Sequence, residues 1–555
     1  SLVDLIERRD TYTAGHTRRV AHYCGLIAAE LGLEAAQSEE LQQAARLHDI
    51  GKIAIPDAVL LKPGPLTALE YELIKQHVVV GYETLMHIDM YAALAEILRH
   101  HHERHDGSGY PAGLAGEAIP LAATALLPIA IFPLSQVATF AEVGSPYASA
   151  TIFLFLGGFL LALGLQRWNV HRRMALAVVL AVGTSPKRLI LGFMIATGFL
   201  SMWVSNTATA VVMLPIGMSV LHLTAGLVGG MHHQKKFATG LMLAIAYSAS
   251  IGSLGTLIGT PPNALLAGYM AEAHDITIGF GQWMMVGVPI AVVFTLIAWL
   301  VLITVFRPEM DEIPGGRELI RGEIAKMGSW SRPQIIVTVI FVLAALSWIF
   351  VPLIIDWTGA EVGYNDALVG IIAGLLMFAI PADPKTGVRI LDWKTANELP
   401  WDVLLLFGGG LALSGMFTAT GLSLWIGEVA KGLEVLPTFL LIAAVAALVL
   451  ILTEFTSNTA TAATFLPIMG GVAVGIGLTA STDMNILLLT IPVALSATCA
   501  FMLPVATPPN AIAFGSGYVK IGDMIKGGVW LNIIAVALIT LATFFIAVPV
   551  FGLVL

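Results

Sequence analysis

The chain of 555 residues predicts an all-α, polytopic membrane protein with inverted repeats, two re-entrant hairpins and two broken helices, preceded by a smaller α-helical soluble piece. Three observations predict this. The composition is 57% hydrophobic and 12% charged, against roughly 45–50% and about 25% in soluble globular chains, so the apolar excess must face lipid. Charges concentrate in residues 1–120 and in a few loops, which separates a polar region from an apolar one at 121–555. Within the apolar region three words occur twice in the same order, and such self-similarity marks an internal duplication.

Residues 1–120 have ordinary charge density and a helical pattern, and they hold nine of the 14 histidines. Lone histidines such as His22 and His87 read as structural or surface residues. The others form a pattern. His48-Asp49 runs into Ile50-Gly51-Lys52, His77 precedes Gly81, and His101-His102-Glu103 runs into Asp106-Gly107-Ser108-Gly109-Tyr110-Pro111. Imidazoles with a carboxylate suit divalent iron, manganese or zinc. A metal pair activates water for attack on a phosphodiester, and Lys52, one turn after His48, is placed to hold a phosphate.

Residues 121–555 contain apolar runs near 121–139, 148–166, 238–258, 283–306, 334–356, 364–381, 399–420 and 527–552, each near the roughly 20 residues a bilayer requires. A shorter run near 172–184 lies between elements. The duplicated words fall inside this region. Ser205-Asn206-Thr207-Ala208-Thr209-Ala210 returns as Ser457-Asn458-Thr459-Ala460-Thr461-Ala462. Phe155-Leu156-Gly157-Gly158 echoes Phe407-Gly408-Gly409-Gly410, and Thr260-Pro261-Pro262-Asn263-Ala264 returns as Thr507-Pro508-Pro509-Asn510-Ala511. The Ser-Asn-Thr words interrupt long apolar regions at 187–223 and 437–476, which predicts two re-entrant hairpins. Non-helical backbone is tolerated in a membrane only where it lines a protein cavity. The double prolines predict broken helices near 240–270 and 487–518, because proline removes an amide donor and blocks continuation of the helix.

Charge placement orients these elements. With the first span running outward, the basic loops at 166–173, 186–188, 232–236, 307–332 and 384–389, with Lys520 and Lys526, fall inside. The loops around 140–147, 271–281, 357–363 and 477–484 carry no Lys or Arg, and Lys431 alone is out of place. This asymmetry is the positive-inside pattern. It inverts the two repeats relative to each other and puts the soluble head in the cytoplasm.

The chemistry of the breaks points to ion-coupled transport. Ser, Thr and Asn oxygens suit sodium, and half-helix N-termini offer free amides and partial positive charge to carboxylates. Broken helices that pair cation sites with an anion site are a transporter design. A single such word reads as polar glue between helices, whereas duplicated words with duplicated double prolines read as a site. No basic stripe with interleaved aromatics is present, so nucleic acid is not an expected partner. Cys24 and Cys499 fall in unlike regions, which argues against a disulfide. The sequence opens at Ser1 without a signal-peptide pattern, and a fragment or processed product is expected.

The words "GHTRRV", "HDIGK", "KPGPLT" and "HHERHDGSGYPAGLAGEAIPL", over residues 1 to about 121, resemble the HD-GYP family of cyclic di-GMP phosphodiesterases. The resemblance implies His16, His48, Asp49, His77, His101 and His102 as ligands of divalent iron or manganese. It gives Asp49 and Lys52 to catalysis, with Lys52 on phosphate and Gly109-Tyr110-Pro111 in the substrate loop. The family's final ligand aspartate is absent, since no acidic residue follows Leu121 until Glu142. The site is therefore expected to be incomplete and hydrolysis to fail.

The words "SMWVSNTATAVVMLPIG", "GTLIGTPPNALL", "WDVLLLFGGGLALSGMFTATGL", "TEFTSNTATAATFLPI" and "PVATPPNAIAFGSGY" resemble the divalent anion/sodium symporter (DASS) family, from about residue 117 to 555. That family carries dicarboxylates or sulfate with sodium ions. The resemblance implies one sodium site at Ser201, Ser205, Asn206 and Gly259, and another at Thr453, Asn458 and Ala506. The substrate would meet Asn206, Thr207, Asn458 and Thr459, with Thr260, Pro261, Thr507 and Pro508 nearby. A homodimer in the cytoplasmic membrane and an elevator-like movement are also implied. Two spans that precede "EAIP" in the family are absent.

Both resemblances are cut at the shared word "GEAIPLA", which predicts a junction between a truncated head and a truncated carrier, formed by recombination or in sequence assembly. A natural sensor–transporter is the rival. The expected function is sodium-coupled uptake of C4-dicarboxylates such as succinate, with sulfate or a tricarboxylate as the alternative substrate. A membrane-anchored, metal-dependent cyclic di-GMP phosphodiesterase is the alternative from another class.

Overall fold

A computed structural model describes residues 16–30, 33–62, 68–86, 88, 91–102, 121–183, 185–228, 230–310, 312, 316–385 and 387–555. The chain divides into two compact units, residues 1–120 and 121–555. The Gly109-Tyr110-Pro111 loop and most of the shared word lie outside the described residues.

In the first unit, α1 (His16–Glu30) pairs with α2 (Ala35–Leu47). A reciprocal cap starts α2, where the Glu34 amide donates to Gln37 Oε1 at 3.2 Å. The chain then makes a 3-10 turn over Ile50–Ala54 and lies on α3 (Ala68–Leu85), which packs on α4 (Ala92–His100). Ala44, Ile50, Leu85, Leu94, Ala95 and Leu98 form the small core. Gly51 makes the crossing possible: a Cβ there would stand 1.8 Å from the His77 carbonyl oxygen. That contact brings Asp49 beside His77.

The second unit is helical throughout, apart from a short strand pair at Pro381–Asp383 and Val388–Arg389. Among the described residues, six helices are long and apolar enough to cross a membrane. The run expected to span at 121–139 does not form one helix. It is split into Leu121–Thr124 and α5 (Leu127–Leu134). Pro128 and Pro133 remove amide donors, and between the two pieces the Ala125 carbonyl accepts from the Tyr147 hydroxyl. The expected span at 364–381 is a helix of only 14 residues.

The duplication is visible element by element. The first repeat runs α6 (Ala150–Arg167), α7 (Val170–Val182), α8 (Pro186–Ser201), α9 (Asn206–Val228), α10 (Lys235–Ser253), α11 (Pro261–His274) and α12 (Phe280–Val305). After α13 (Gly316–Lys326), α14 (Arg332–Thr358) and α15 (Asp366–Ala379), the second repeat follows the same order. Its members are α16 (Trp401–Ala419), α17 (Leu422–Val429), α18 (Thr438–Thr453), α19 (Asn458–Gly475), α20 (Leu487–Thr498), α21 (Pro508–Gly515) and α22 (Ile521–Ala542). The stretch near 172–184, read as lying between elements, is the helix α7.

Packing obeys the same symmetry. Each hairpin's first limb rests on its own broken helix, α8 on α10 and α18 on α20. Each second limb packs both on its own broken helix, α9 on α10 and α19 on α20, and on the broken helix of the other repeat, α9 on α21 and α19 on α11. Every residue of α10 from Phe237 to Ser253 is buried, so this helix is the centre of the unit. By contrast α14 exposes Leu343, Phe350, Leu353 and Trp357 on its outer face, as a lipid-facing helix does.

Candidate functional site

Two tips and two breaks make up the membrane site. The first tip is the turn 202–205 between α8 and α9, and the first break is 254–260 between α10 and α11. Ser201 Oγ donates to the Ala249 carbonyl at 2.5 Å, and the Thr256 hydroxyl donates to the Met202 carbonyl, so tip and broken helix are tied directly. Asn206 Oδ1 accepts from the Thr207 amide at 2.8 Å, and Ser205 Oγ from the Ala208 amide at 3.3 Å. Both are side-chain caps at the start of α9. Gly259, Thr260 and Pro261 close the break and open α11.

The second tip is 454–457 and the second break 499–507. Thr453 Oγ1 lies 2.9 Å from Asn458 Oδ1 and 2.8 Å from the Ala497 carbonyl oxygen. A hydroxyl has one proton, so three oxygens meet here around a single hydrogen. An oxygen cluster with so few donors is suited to a cation. Thr459 begins α19, Ala506 donates to the Leu503 carbonyl at 3.4 Å, and Thr507 caps α21 by accepting from the Asn510 amide at 3.3 Å, with Pro508 following. The two halves touch where Thr260 Oγ1 and Thr498 Oγ1 stand 3.3 Å apart.

The breaks themselves are held by residues to which sequence reasoning gave no role. Asn263 Nδ2 donates to the carbonyls of Ser253, Leu254 and Thr256, the last at 2.9 Å. Asn510 Nδ2 donates to the equivalent Ala500 and Leu503 carbonyls at 3.0 and 3.1 Å. The signal was present, since both asparagines end the duplicated Pro-Pro-Asn word. Each break also lies on a glycine of the next helix. A Cβ on Gly287 would stand 2.4 Å from the Leu254 carbonyl oxygen, and one on Gly528 would stand 2.3 Å from that of Phe501. Glu454 was missed too. It is 1% exposed and is the single charged residue in the two tips and two breaks. An ionisable side chain within a membrane segment is itself a functional signal.

The soluble unit gathers its predicted ligands into two triads, His16–His48–Asp49 and His77–His101–His102. Within each, the ligand atoms lie within 4.8 Å of one another. Asp49 joins them, with one oxygen 3.4 Å from His48 Nε2 and the other 3.6 Å from His77 Nε2. Three rings are oriented identically. Nδ1 of His48, His77 and His101 meets the carbonyl three residues earlier, at 2.7, 2.6 and 2.6 Å, which leaves Nε2 for a ligand. Burial pushes His101 down to about 3 and His102 down to about 4, so both are neutral at pH 7. Burial raises the Asp49 carboxyl, but His48 and Lys52 outweigh it and hold the group well below the usual range. Neutral imidazoles with an ionised carboxylate are the donor state a metal needs; His101, His102 and Asp49 are shifted towards it, while at His48 burial is outweighed by Asp49, which raises it. Lys52, expected on a phosphate, sits 2.8 Å from Asp49 Oδ2. The cavity beside the triads is about 420 Å³ and is also lined by Cys24, Leu41 and Ile97. Both cysteines are free.

A family model described as the sodium:sulfate symporter transmembrane region matches residues 112–552. The chain belongs to that family. Among curated relatives of this symporter, the sodium-dependent dicarboxylate transporter SdcS of Staphylococcus saprophyticus is 42% identical over 444 residues, 79% of this chain and 84% of the relative. SdcS of Staphylococcus aureus strain USA300 is 43% identical over 442 residues, with the same coverage of 79% and 84%. Among solved structures, the transporter MtrF of Neisseria gonorrhoeae aligns with a TM-score of 0.49 at 13% identity, covering 77% of this chain and 86% of that one. An HD domain model matches residues 1–133 and so overlaps the symporter model at 112–133.

Proposed function

We propose that the protein is a sodium-coupled carrier of small dicarboxylates, with succinate as the type substrate. The observation that carries this reading is the similarity to the SdcS transporters, 42–43% identity over 79% of this chain. The same similarity favours dicarboxylate over sulfate. One sodium ion is assigned to Ser201, Ser205, Asn206 and Gly259, and another to Thr453, Asn458 and Ala506. The oxygen cluster around Thr453 supports the second assignment. The substrate carboxylates are assigned to the starts of α9 and α19, at Asn206, Thr207, Asn458 and Thr459, with Thr260, Pro261, Thr507 and Pro508 lining the breaks. Helix N-termini supply amides and partial positive charge there, and no Lys or Arg competes within the tips and breaks. Sodium then provides the countercharge and couples its own gradient to the anion. Uptake of labelled succinate into proteoliposomes tests this. It should require an inward sodium gradient, and sodium-independent or absent uptake by inserted protein removes the reading.

We assign the carrier to the cytoplasmic membrane, which its basic loops support, and infer a homodimer from the family resemblance. The head is placed on the cytoplasmic side, within reach of cyclic di-GMP. Labelling of Cys24 in intact cells by an impermeant thiol reagent would overturn that placement.

A second reading concerns the head, and the paired triads support it. His16, His48, Asp49, His77, His101 and His102 would hold divalent iron or manganese, which when bound supplies activated water. The chain's own residues fix the imidazole tautomers and keep Asp49 ionised between the triads. The purified full chain should carry metal by elemental analysis and lose it in His77→Ala. Without the final aspartate it should not hydrolyse cyclic di-GMP. The overlap of the two family matches supports a junction between domains at residues 112–133.

A further inference from the structure

Glu454 begins the second tip, directly after Thr453. Its side chain is 1% exposed and accepts five hydrogen bonds. Oε1 accepts from the amides of Phe501 at 2.8 Å and Met502 at 3.0 Å, and from Asn532 Nδ2 at 2.7 Å. Oε2 accepts from the amides of Met502 at 3.2 Å and Leu503 at 3.1 Å. A buried carboxylate is tolerated only when hydrogen-bonded this fully. All of these donors are neutral, however. The described ion pairs of this unit are Arg167–Asp392, Arg172–Glu323, Lys326–Glu323 and Lys431–Glu428, and Glu454 is in none of them.

The carboxylate grips the unwound backbone from one side. Asn510 grips it from the other, through the Ala500 and Leu503 carbonyls. Between them the direction of the chain leading to Ala506 is fixed. The first repeat has no such device. Met202 occupies the place of Glu454, and Ala291 that of Asn532. There the break satisfies its own amides, Leu254 on Ile251 and Gly255 on Gly252, and is tied to the tip by the neutral Thr256 hydroxyl. Both partners of the Glu–Asn pair therefore differ together between the repeats.

We propose that Glu454 is a positioning residue for the second cation site, and that its uncompensated charge makes the two repeats bind sodium unequally, the second more tightly. This rests on the carrier reading above. A unit charge acting over roughly 10 Å of protein is worth about tenfold in a binding constant. Asn532 orients the carboxylate without changing its charge.

Sodium binding to the full-length protein, followed by intrinsic tryptophan fluorescence without dicarboxylate, should show two phases about tenfold apart. In Glu454→Gln the tighter phase should move to the weaker one. The sodium concentration for half-maximal uptake should rise about tenfold, while the succinate KM at saturating sodium stays within about twofold. Glu454→Asp should restore the sodium dependence with a lower maximal rate, which a merely structural cap would not do. A single phase in the wild-type protein overturns the proposal, and that measurement does not depend on any variant folding. A stable Glu454→Gln with unchanged sodium dependence overturns it equally. Two phases without succinate uptake would leave the inference standing and remove the dicarboxylate reading instead.

Discussion

In the first repeat the unwound segment 254–260 is buried at every position, whereas in the second Val505 and Pro508 reach the surface and the tip residues 455–457 are exposed. The first is held by neutral groups, and the second is held around a carboxylate. Yet the backbone is bent the same way in both. Asn263 and Asn510 reach equivalent carbonyls, Gly287 and Gly528 give way at equivalent points, and Ser201 and Thr453 each meet a carbonyl on the neighbouring broken helix. The duplication preserved what shapes the chain and let charge and access diverge. On the proposed assignment, two half-sites that share one substrate need a symmetric shape, while the two cation sites need not be alike.

The strongest test of the shared part is Asn206→Ala beside Asn458→Ala. Each should reduce sodium-dependent uptake by about a hundredfold or more, with insertion and melting unchanged. That loss is the scale expected when a charge-assisted hydrogen bond and a cation ligand go together. Loss in only one would mean that the two starts are not equal partners. Next come Gly287→Ala and Gly528→Ala. Each places a methyl against immovable backbone, and overpacking of this kind costs about 1–3 kcal/mol or more. Equal falls in the melting temperature of the solubilised protein are expected, and a tolerated change at one position would show that its break can relax. Smaller again, Asn263→Ala and Asn510→Ala each free two or more buried carbonyls. Each should cost about 1–3 kcal/mol of stability, read from denaturation midpoints. The smallest effect is expected from Thr256→Val, which removes one bond to the Met202 carbonyl and should cost about 1 kcal/mol. Its equivalent in the second repeat is Leu503, whose amide serves Glu454 instead, so this variant reports on the first repeat alone.

The hairpins and breaks were legible in the sequence because each was written twice, and prolines punctuate both copies. The run at 121–139 was misread because average hydropathy does not register where amide donors are missing. Pro128 and Pro133 interrupt it, and Tyr147, 22 residues away, donates to the Ala125 carbonyl. Glu454 escaped for the opposite reason. Looking for repeated letters draws attention to Ser457, Asn458 and Thr459, while the asymmetry lies at a position where the copies disagree. In the head, the histidines and the aspartate that gather into the triads were legible in the sequence. The placing of Asp49 between two triads was not, because it depends on Gly51 lying against α3.

Each hairpin's second limb also rests on the broken helix of the other repeat, and this has a consequence for synthesis. The helix α9 ends at Val228, but its partner α21 begins at Pro508. At translation rates of roughly 5–20 residues per second, the limb waits about 15–55 s for the second of the two surfaces that cover it. During that interval the first tip is held by its own broken helix, while the side of α9 that meets α21 is uncovered. Ribosome stalling within the second repeat should therefore reduce yield more than stalling of the same length in the first.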